Sequence, residues 1–134
     1  FARDPAAIAR LTPEQRRAEL EKLWTDGSLA IWVGGFQETM MDPEINFEIS
    51  EFIREKIRAQ IKDPKKAELL VPREYGFGTY RVPLENGYYE AFNRDNVELI
   101  DVRKTPIERF TEKGLVVDGK EYELDVVILA TGFD

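Results

Sequence analysis

Neither cysteine nor histidine occurs anywhere in the 134 residues. The first absence removes disulfides, thiolate nucleophiles and Cys-based zinc sites. The second removes His-containing catalytic triads, imidazole general bases and His-ligated metals, and no metal site is expected. No apolar run approaches the roughly 20 residues that a membrane-spanning helix needs. A basic excess is missing as well: the net charge is −7 with 34% charged residues, which argues against a nucleic-acid partner. Arg54, Lys56, Arg58, Lys62, Lys65 and Lys66 alternate with acids and read as the solvated faces of helices. There is no internal repeat and no low-complexity segment, and the opening Phe1-Ala2-Arg3-Asp4-Pro5 does not read as a signal peptide. Absence of cysteine is compatible with a reducing compartment, and the expected location is cytoplasmic. The opening Phe1-Ala2-Arg3 and the stop just beyond an apolar segment predict a piece of a longer chain.

What is present divides into two halves. Thr12-Pro13-Glu14-Gln15 is a capping box with proline at the first helical position, predicting a helix to about Asp26 that buries Leu20, Leu23 and Trp24 and stops at Gly27. Ser28 opens a second expected helix, Leu29 to about Met41, weakened by Gly34-Gly35. Asp42-Pro43 opens a third. In it Ile45, Ile49, Phe52, Ile53, Ile57 and Ile61 recur at spacings of three and four, an apolar stripe that reads as core. Asp63-Pro64 starts a fourth, ending near Leu70. Composition shifts at Val71-Pro72, so residues 1–71 read as a helical insert and 72–134 as loop, short helix and strands.

In the second half, Arg73 to Pro83 is an ordered loop rich in glycine, proline and tyrosine. A helical turn or two follows over Tyr88 to Phe92, then a polar turn Asn93-Arg94-Asp95-Asn96 and a strand Val97 to Val102. Ile107–Thr111 and Leu115–Val117 suggest a hairpin, and Gly119 turns into Lys120 to Leu124. Val126 to Leu129 reads as a strand buried on both faces, an inner strand of a parallel sheet. It runs into Ala130-Thr131-Gly132, small residues at the carboxyl end of a strand, where a cofactor approaches closely in α/β sheets. Few neighbours for such a strand are present, so its sheet is expected to be completed elsewhere.

No Rossmann glycine fingerprint is found. Gly76-Phe77-Gly78-Thr79-Tyr80-Arg81 lacks the final glycine and no strand precedes it. Arg81 nevertheless sits in a glycine-rich aromatic loop, which predicts a fixed and partly desolvated guanidinium. Tyr88, Tyr89 and Phe92 read as core side chains or as a stacking platform for a cofactor.

Taken together these segments resemble the Baeyer–Villiger monooxygenases, the flavoprotein branch that includes cyclohexanone and phenylacetone monooxygenases. The resemblance runs through Trp24, Gly35-Phe36, Asp42-Pro43, Phe52-Ile53-Arg54-Glu55-Lys56-Ile57 and Lys62-Asp63-Pro64. It sharpens at Phe77, Arg81-Val82-Pro83-Leu84, Gly87-Tyr88-Tyr89-Glu90 and Phe92-Asn93-Arg94-Asp95-Asn96-Val97. It closes on Thr105-Pro106-Ile107-Glu108, Glu123-Leu124-Asp125 and Ala130-Thr131-Gly132-Phe133-Asp134.

The resemblance implies an α/β fold, α+β within these residues, from a flavoprotein with two Rossmann-type dinucleotide domains. Residues 1–71 would then be a helical insert of the NADP domain, and 72–134 would lead into the FAD domain. It implies FAD and NADPH as cofactors, neither expected to bind the 134 residues alone, and a ketone and dioxygen as substrates, with an ester or lactone as product. Arg81 is implied as the catalytic arginine beside flavin and nicotinamide, and Tyr80, Arg81, Ala130, Thr131 and Gly132 as cofactor-binding residues. The position of Tyr80 is commonly a lysine that helps hold the 2′-phosphate of NADPH, so the departure loosens the expected preference for NADPH over NADH. Two other readings stand beside this one. The first is an N-hydroxylating or sulfur-oxidising flavin monooxygenase with the same Ala-Thr-Gly strand, and the second is a non-catalytic acidic interaction module.

Overall fold

Thr12-Pro13, Asp42-Pro43 and Asp63-Pro64 are read as helix starts, and a computed structural model of the protein, describing residues 10–35 and 37–132, places a helix after each of the three. The first helix, α1, spans Pro13–Asp26. The Thr12 hydroxyl accepts the Gln15 N–H at 3.3 Å and the Gln15 side chain accepts the Thr12 N–H at 2.9 Å, closing the expected box. Gly27 ends the helix at φ 67°, its N–H bonded to the Trp24 carbonyl. Asp42 and Asp63 cap α2 (Pro43–Gln60) and α3 (Pro64–Leu70), each carboxylate taking backbone N–H groups at the helix start.

The expected helix from Leu29 to Met41 is replaced by two short pieces, a π-turn over Ala30–Gly34 and a 3-10 turn over Gln37–Met40. The break falls at Gly35, whose backbone is extended and lies so close to the turn before it that a Cβ would come within 2.6 Å of the Ile31 carbonyl oxygen. Ser28 does open the first piece, its hydroxyl accepting the Ala30 N–H at 3.0 Å.

The isoleucine stripe of α2 is core. Ile49 and Phe52 are buried with Leu20 of α1, flanked by Trp24, Ile31, Ile45 and Phe77. Ile57 and Ile61 are buried with Ala67 and Val71, flanked by Leu70 and Tyr89, and Ile53 touches both clusters. Leu20 is fully buried as expected, while Leu23 and Trp24 are half-buried. The short helix α4 spans Tyr88–Ala91.

Several cations read as solvated helix faces have definite partners instead. Lys56 bonds Glu21 across α1 and α2 at 2.6 Å. The Lys66 ammonium donates to the Phe92 and Val97 carbonyls at 3.0 and 3.1 Å, and Arg54 holds the loop after α3. These partners lie on other segments of the chain, so periodicity alone does not reveal them.

The chain divides into two compact units after Val97. The second unit contains one antiparallel sheet in the order β1 (Ile107–Phe110), β2 (Gly114–Val117), β3 (Lys120–Glu123). Its centre is β2, with Val116 and Val117 buried. Asp118 and Gly119, at φ 51° and 71°, form the two-residue turn that sets Val117 opposite Lys120. The β1–β2 and β2–β3 hairpins match the sequence expectation.

Two expected strands do not form. Residues 97–102 have no ladder, because Asp101 folds the chain into a turn: its carbonyl accepts the Lys104 and Thr105 N–H groups and its side chain accepts that of Arg103. Val126 to Leu129 forms no strand pairing and is open to solvent, with Val126 73% and Ile128 85% exposed. Its buried character would require flanking strands, and the described residues offer none. None of the described helices is long and apolar enough to cross a membrane.

Candidate functional site

The α2 helix carries a second stripe besides its isoleucines. Asn46, Ser50 and Arg54 follow one another at intervals of four, so they share one face of the helix. All three bond to the loop after α3. The Asn46 amide nitrogen donates to the Phe77 carbonyl at 2.9 Å and to the Thr39 carbonyl at 2.8 Å. The Ser50 hydroxyl accepts the Phe77 N–H at 2.8 Å and donates to the Asn46 carbonyl at 2.7 Å. Arg54 donates to the carbonyls of Pro72 and Tyr75 at 2.7 and 3.1 Å, with Glu51 beside it at 2.6 Å. Five main-chain groups that could not join a helix or sheet are thereby satisfied.

Beyond Phe77 the loop turns at Gly78, φ 81°, where a Cβ would sit 3.2 Å from both the Trp32 indole nitrogen and the Met40 sulfur. The following residues border a cleft of about 1230 Å³. Its wall includes Trp24, Tyr75, Phe77, Tyr80, Arg81 and Tyr88. Its size is above the roughly 300–1,000 Å³ of typical small-ligand sites. Tyr80 is 66% exposed and packs edge-on against Tyr75, ring centres 4.8 Å apart.

Arg81 is exposed, contrary to the partly desolvated guanidinium expected of it. Among the described residues its side chain has no hydrogen bond or ion pair, although Glu85, which accepts the Tyr88 N–H, and Glu90 line the same cleft. A cation at a cleft wall without an internal counter-ion suits an anionic or developing-oxyanion ligand. The donor set fits a nucleotide in kind: Arg81 is a cation for an anionic group, and Trp24, Phe77, Tyr80 and Tyr88 put aromatic side chains on the wall.

Tyr89 belongs to core rather than to a stacking platform. It packs on the Ile57 cluster, and burial, followed by the neighbouring Tyr88, Glu85 and Tyr75, raises its hydroxyl pKa above the ordinary value. Tyr88 is exposed and meets Tyr89 and Phe92 edge-on, at 5.2 and 5.3 Å. Asn93 forms the expected polar turn and also clamps the end of α2, donating to the Gln60 carbonyl at 2.7 Å and accepting the Lys62 N–H at 2.7 Å.

Ala130, Thr131 and Gly132 lie in the second unit, outside any helix or strand and exposed, with Gly132 at φ 80°. Nothing there would obstruct a Cβ-free approach to a ligand. Phe36, Phe133 and Asp134, which share in the resemblance, lie outside the described residues. Tyr80 and Arg81 thus border one cleft of the first unit, and the small-residue segment is a separate feature of the second. The polar stripe on α2 went unread in the sequence. Its signal is three polar residues at intervals of four beside an apolar stripe.

No protein-family model matches the chain. Individual relatives do. Over 125 residues it is 53% identical to the acetone monooxygenase (methyl acetate-forming) of Gordonia sp. strain TY-5, covering 92% of this chain and 24% of that protein. A protein of Pseudooceanicola batsensis named Baeyer–Villiger monooxygenase is 41% identical over 133 residues, covering 98% of this chain and 24% of its own length. The chain belongs to the Baeyer–Villiger monooxygenase family. The crystal structure of OTEMO in complex with FAD and NADP superposes on it with a TM-score of 0.92 at 42% identity, over 98% of this chain and 24% of that one. This Baeyer–Villiger chain therefore spans about a quarter of the length of the relatives it matches. Its helices and small antiparallel sheet have the form of one part of a two-dinucleotide flavoprotein.

Proposed function

We propose that this chain is the part of an FAD- and NADPH-dependent Baeyer–Villiger monooxygenase that presents Arg81 to the reacting centre, in an enzyme that inserts one atom of dioxygen beside a ketone carbonyl. The observation that carries the reading is Arg81 itself. It is an unpaired cation on the wall of a large aromatic cleft, within a segment whose backbone follows that of a protein solved with FAD and NADP. Bound flavin and nicotinamide would supply the electrons and activate the oxygen. The chain's own contribution is electrostatic: the Arg81 guanidinium stabilises negative charge on oxygen as it develops, without reorganising to do so. Tyr80 lies next to it at the cleft wall and contributes to holding the nicotinamide nucleotide through a hydrogen-bonding hydroxyl. Ala130, Thr131 and Gly132 offer small side chains and open backbone for close approach of a dinucleotide. In the same proposal residues 1–71 are a helical insert of the NADP domain, 72–134 lead into the FAD domain, and the enzyme is cytoplasmic.

The test is made on the full-length protein that carries this chain. Its visible spectrum should show bound flavin, and with NADPH and oxygen it should convert a panel of cyclic and linear ketones to esters or lactones. Arg81→Ala should keep the flavin and lose product formation by at least about 100-fold, the usual loss for one preorganised donor to a developing oxyanion. Wild-type turnover in that variant would remove Arg81 from the chemistry.

A further inference from the structure

Phe77 has both of its main-chain groups held by side chains of a single helix. Its N–H goes to the Ser50 hydroxyl and its carbonyl to the Asn46 amide, at 2.8 and 2.9 Å. Its ring packs beside the Leu20–Ile49–Phe52 cluster, so the residue is fixed at three points. One helical turn further along, Arg54 holds the Pro72 and Tyr75 carbonyls with two arms of its guanidinium, and that side chain is only 11% exposed. Between Phe77 and Arg81 stand only Gly78, Thr79 and Tyr80. Gly78 is wedged against Trp32 and Met40. Among the described residues Arg81 makes no bond of its own that would set its place.

We infer that the Asn46–Ser50–Arg54 face of α2 is a positioning device, and that it fixes where the Arg81 guanidinium stands. The inference rests on the reading of Arg81 given above. A polar stripe of this kind is an unusual use of a core-facing helix. A buried serine and an asparagine beside an apolar cluster bring a desolvation cost, and here each polar group is matched to a loop group that would otherwise be unsatisfied. Ser50 is itself 4% exposed, and removing its hydroxyl takes away the partner of the Phe77 N–H. Losing one anchor frees the loop at its tightest point, four residues from the arginine. A displacement of about 1 Å at a group that must meet a transition state costs on the order of 100-fold in rate. None of the three side chains need touch substrate or cofactor for that effect; they act through Arg81.

The experiment uses the full-length protein. Ser50→Ala deletes the acceptor of the Phe77 N–H, Ser50→Thr restores a hydroxyl, and Arg54→Lys keeps the charge but loses the two-armed grip. Amide hydrogen exchange by mass spectrometry is expected to rise in residues 73–82 of Ser50→Ala and Arg54→Lys, with α1 protected as in wild type. Product-forming kcat should fall by about tenfold or more and recover in Ser50→Thr, while KM for the ketone changes little. In an Arg81→Ala background, Ser50→Ala should cause no further loss, because the effect has no other route. Unchanged exchange in residues 73–82 overturns the proposal, as does an undiminished kinetic effect of Ser50→Ala without Arg81. If Arg81→Ala alone retains wild-type turnover, it is the functional reading that falls, and the exchange data still decide whether the stripe anchors the loop.

Discussion

Asn46 and Gly76 approach so closely that a Cβ on the glycine would lie 2.0 Å from the asparagine side-chain oxygen. No L side chain fits there unless the loop or Asn46 moves, and Asn46 is held by two hydrogen bonds of its own. Gly76→Ala is therefore expected to destabilise the protein by about 1–3 kcal/mol, the range for forcing a group into a packed site. Thermal denaturation of the full-length protein measures this. A melting temperature equal to wild type would show that the approach is looser than the geometry describes.

Phe52 has two cations near its ring. The Arg17 guanidinium and the Lys56 ammonium each lie 5.2 Å from its ring centre, and Trp24 meets it edge-on at 6.3 Å. With the ring 2% exposed, Phe52→Ala opens a cavity in the Leu20–Ile49 cluster and should cost about 3–5 kcal/mol. Phe52→Leu keeps most of the volume and loses the aromatic faces, so it should cost distinctly less. Denaturant midpoints of the two variants give the comparison; equal losses would assign the stabilisation to the ring faces rather than to filled volume.

The helical part of this fold was legible because its signals are local. Thr12, Asp42 and Asp63 cap helices where proline follows, and the isoleucine spacing of α2 identifies the face that became core. Turn chemistry was equally readable at Gly119. What failed was whatever depends on distant partners. Val126 to Leu129 has the composition of an inner strand, yet burial is a property of neighbours, and a chain spanning about a quarter of its relatives does not supply them. Residues 97–102 have strand-like composition, but the Asp101 turn outweighs it. The α2 polar stripe was hidden for another reason: Arg54 beside Glu51 and Glu55 looks like a surface ion pair until the loop it holds is in place. Arg81 itself became a candidate through resemblance, since nothing in its composition distinguishes it from other arginines.

Tyr89 gives a prediction in pH. Burial, then the neighbouring Tyr88, Glu85 and Tyr75, raise its pKa above the ordinary value of 10.0. A proton held more tightly in the folded state contributes stability that is complete below the unfolded pKa and is lost as pH rises through the folded one. The alkaline fall in melting temperature should therefore begin near pH 10 and be shallower in Tyr89→Phe, which has no phenol to ionise. Melting curves of both proteins at a series of alkaline pH values measure this. Parallel slopes would mean that Tyr89 remains neutral throughout or is equally exposed in both states.

The last prediction concerns Tyr80, which stands next to Arg81 at the cleft wall with its ring against Tyr75. If this wall receives the nicotinamide nucleotide, a lysine at position 80 would offer its 2′-phosphate a charge-assisted hydrogen bond, a class of contact that contributes roughly 1.5–3 kcal/mol. At ~1.4 kcal/mol per tenfold, that is about a tenfold to hundredfold difference between NADPH and NADH. The full-length protein, having tyrosine there, is expected to discriminate less between the two cofactors than a variant carrying the lysine. Tyr80→Lys should raise kcat/KM for NADPH and leave that for NADH nearly unchanged, because NADH has no group for the new charge to meet. The tyrosine is 66% exposed, so its replacement removes little packing, and the melting temperature should hold. Steady-state kinetics with both cofactors on both proteins give the ratio directly. An unaltered ratio would place residue 80 out of reach of the phosphate, and an equal rise with both cofactors would point to the loop rather than to the charge.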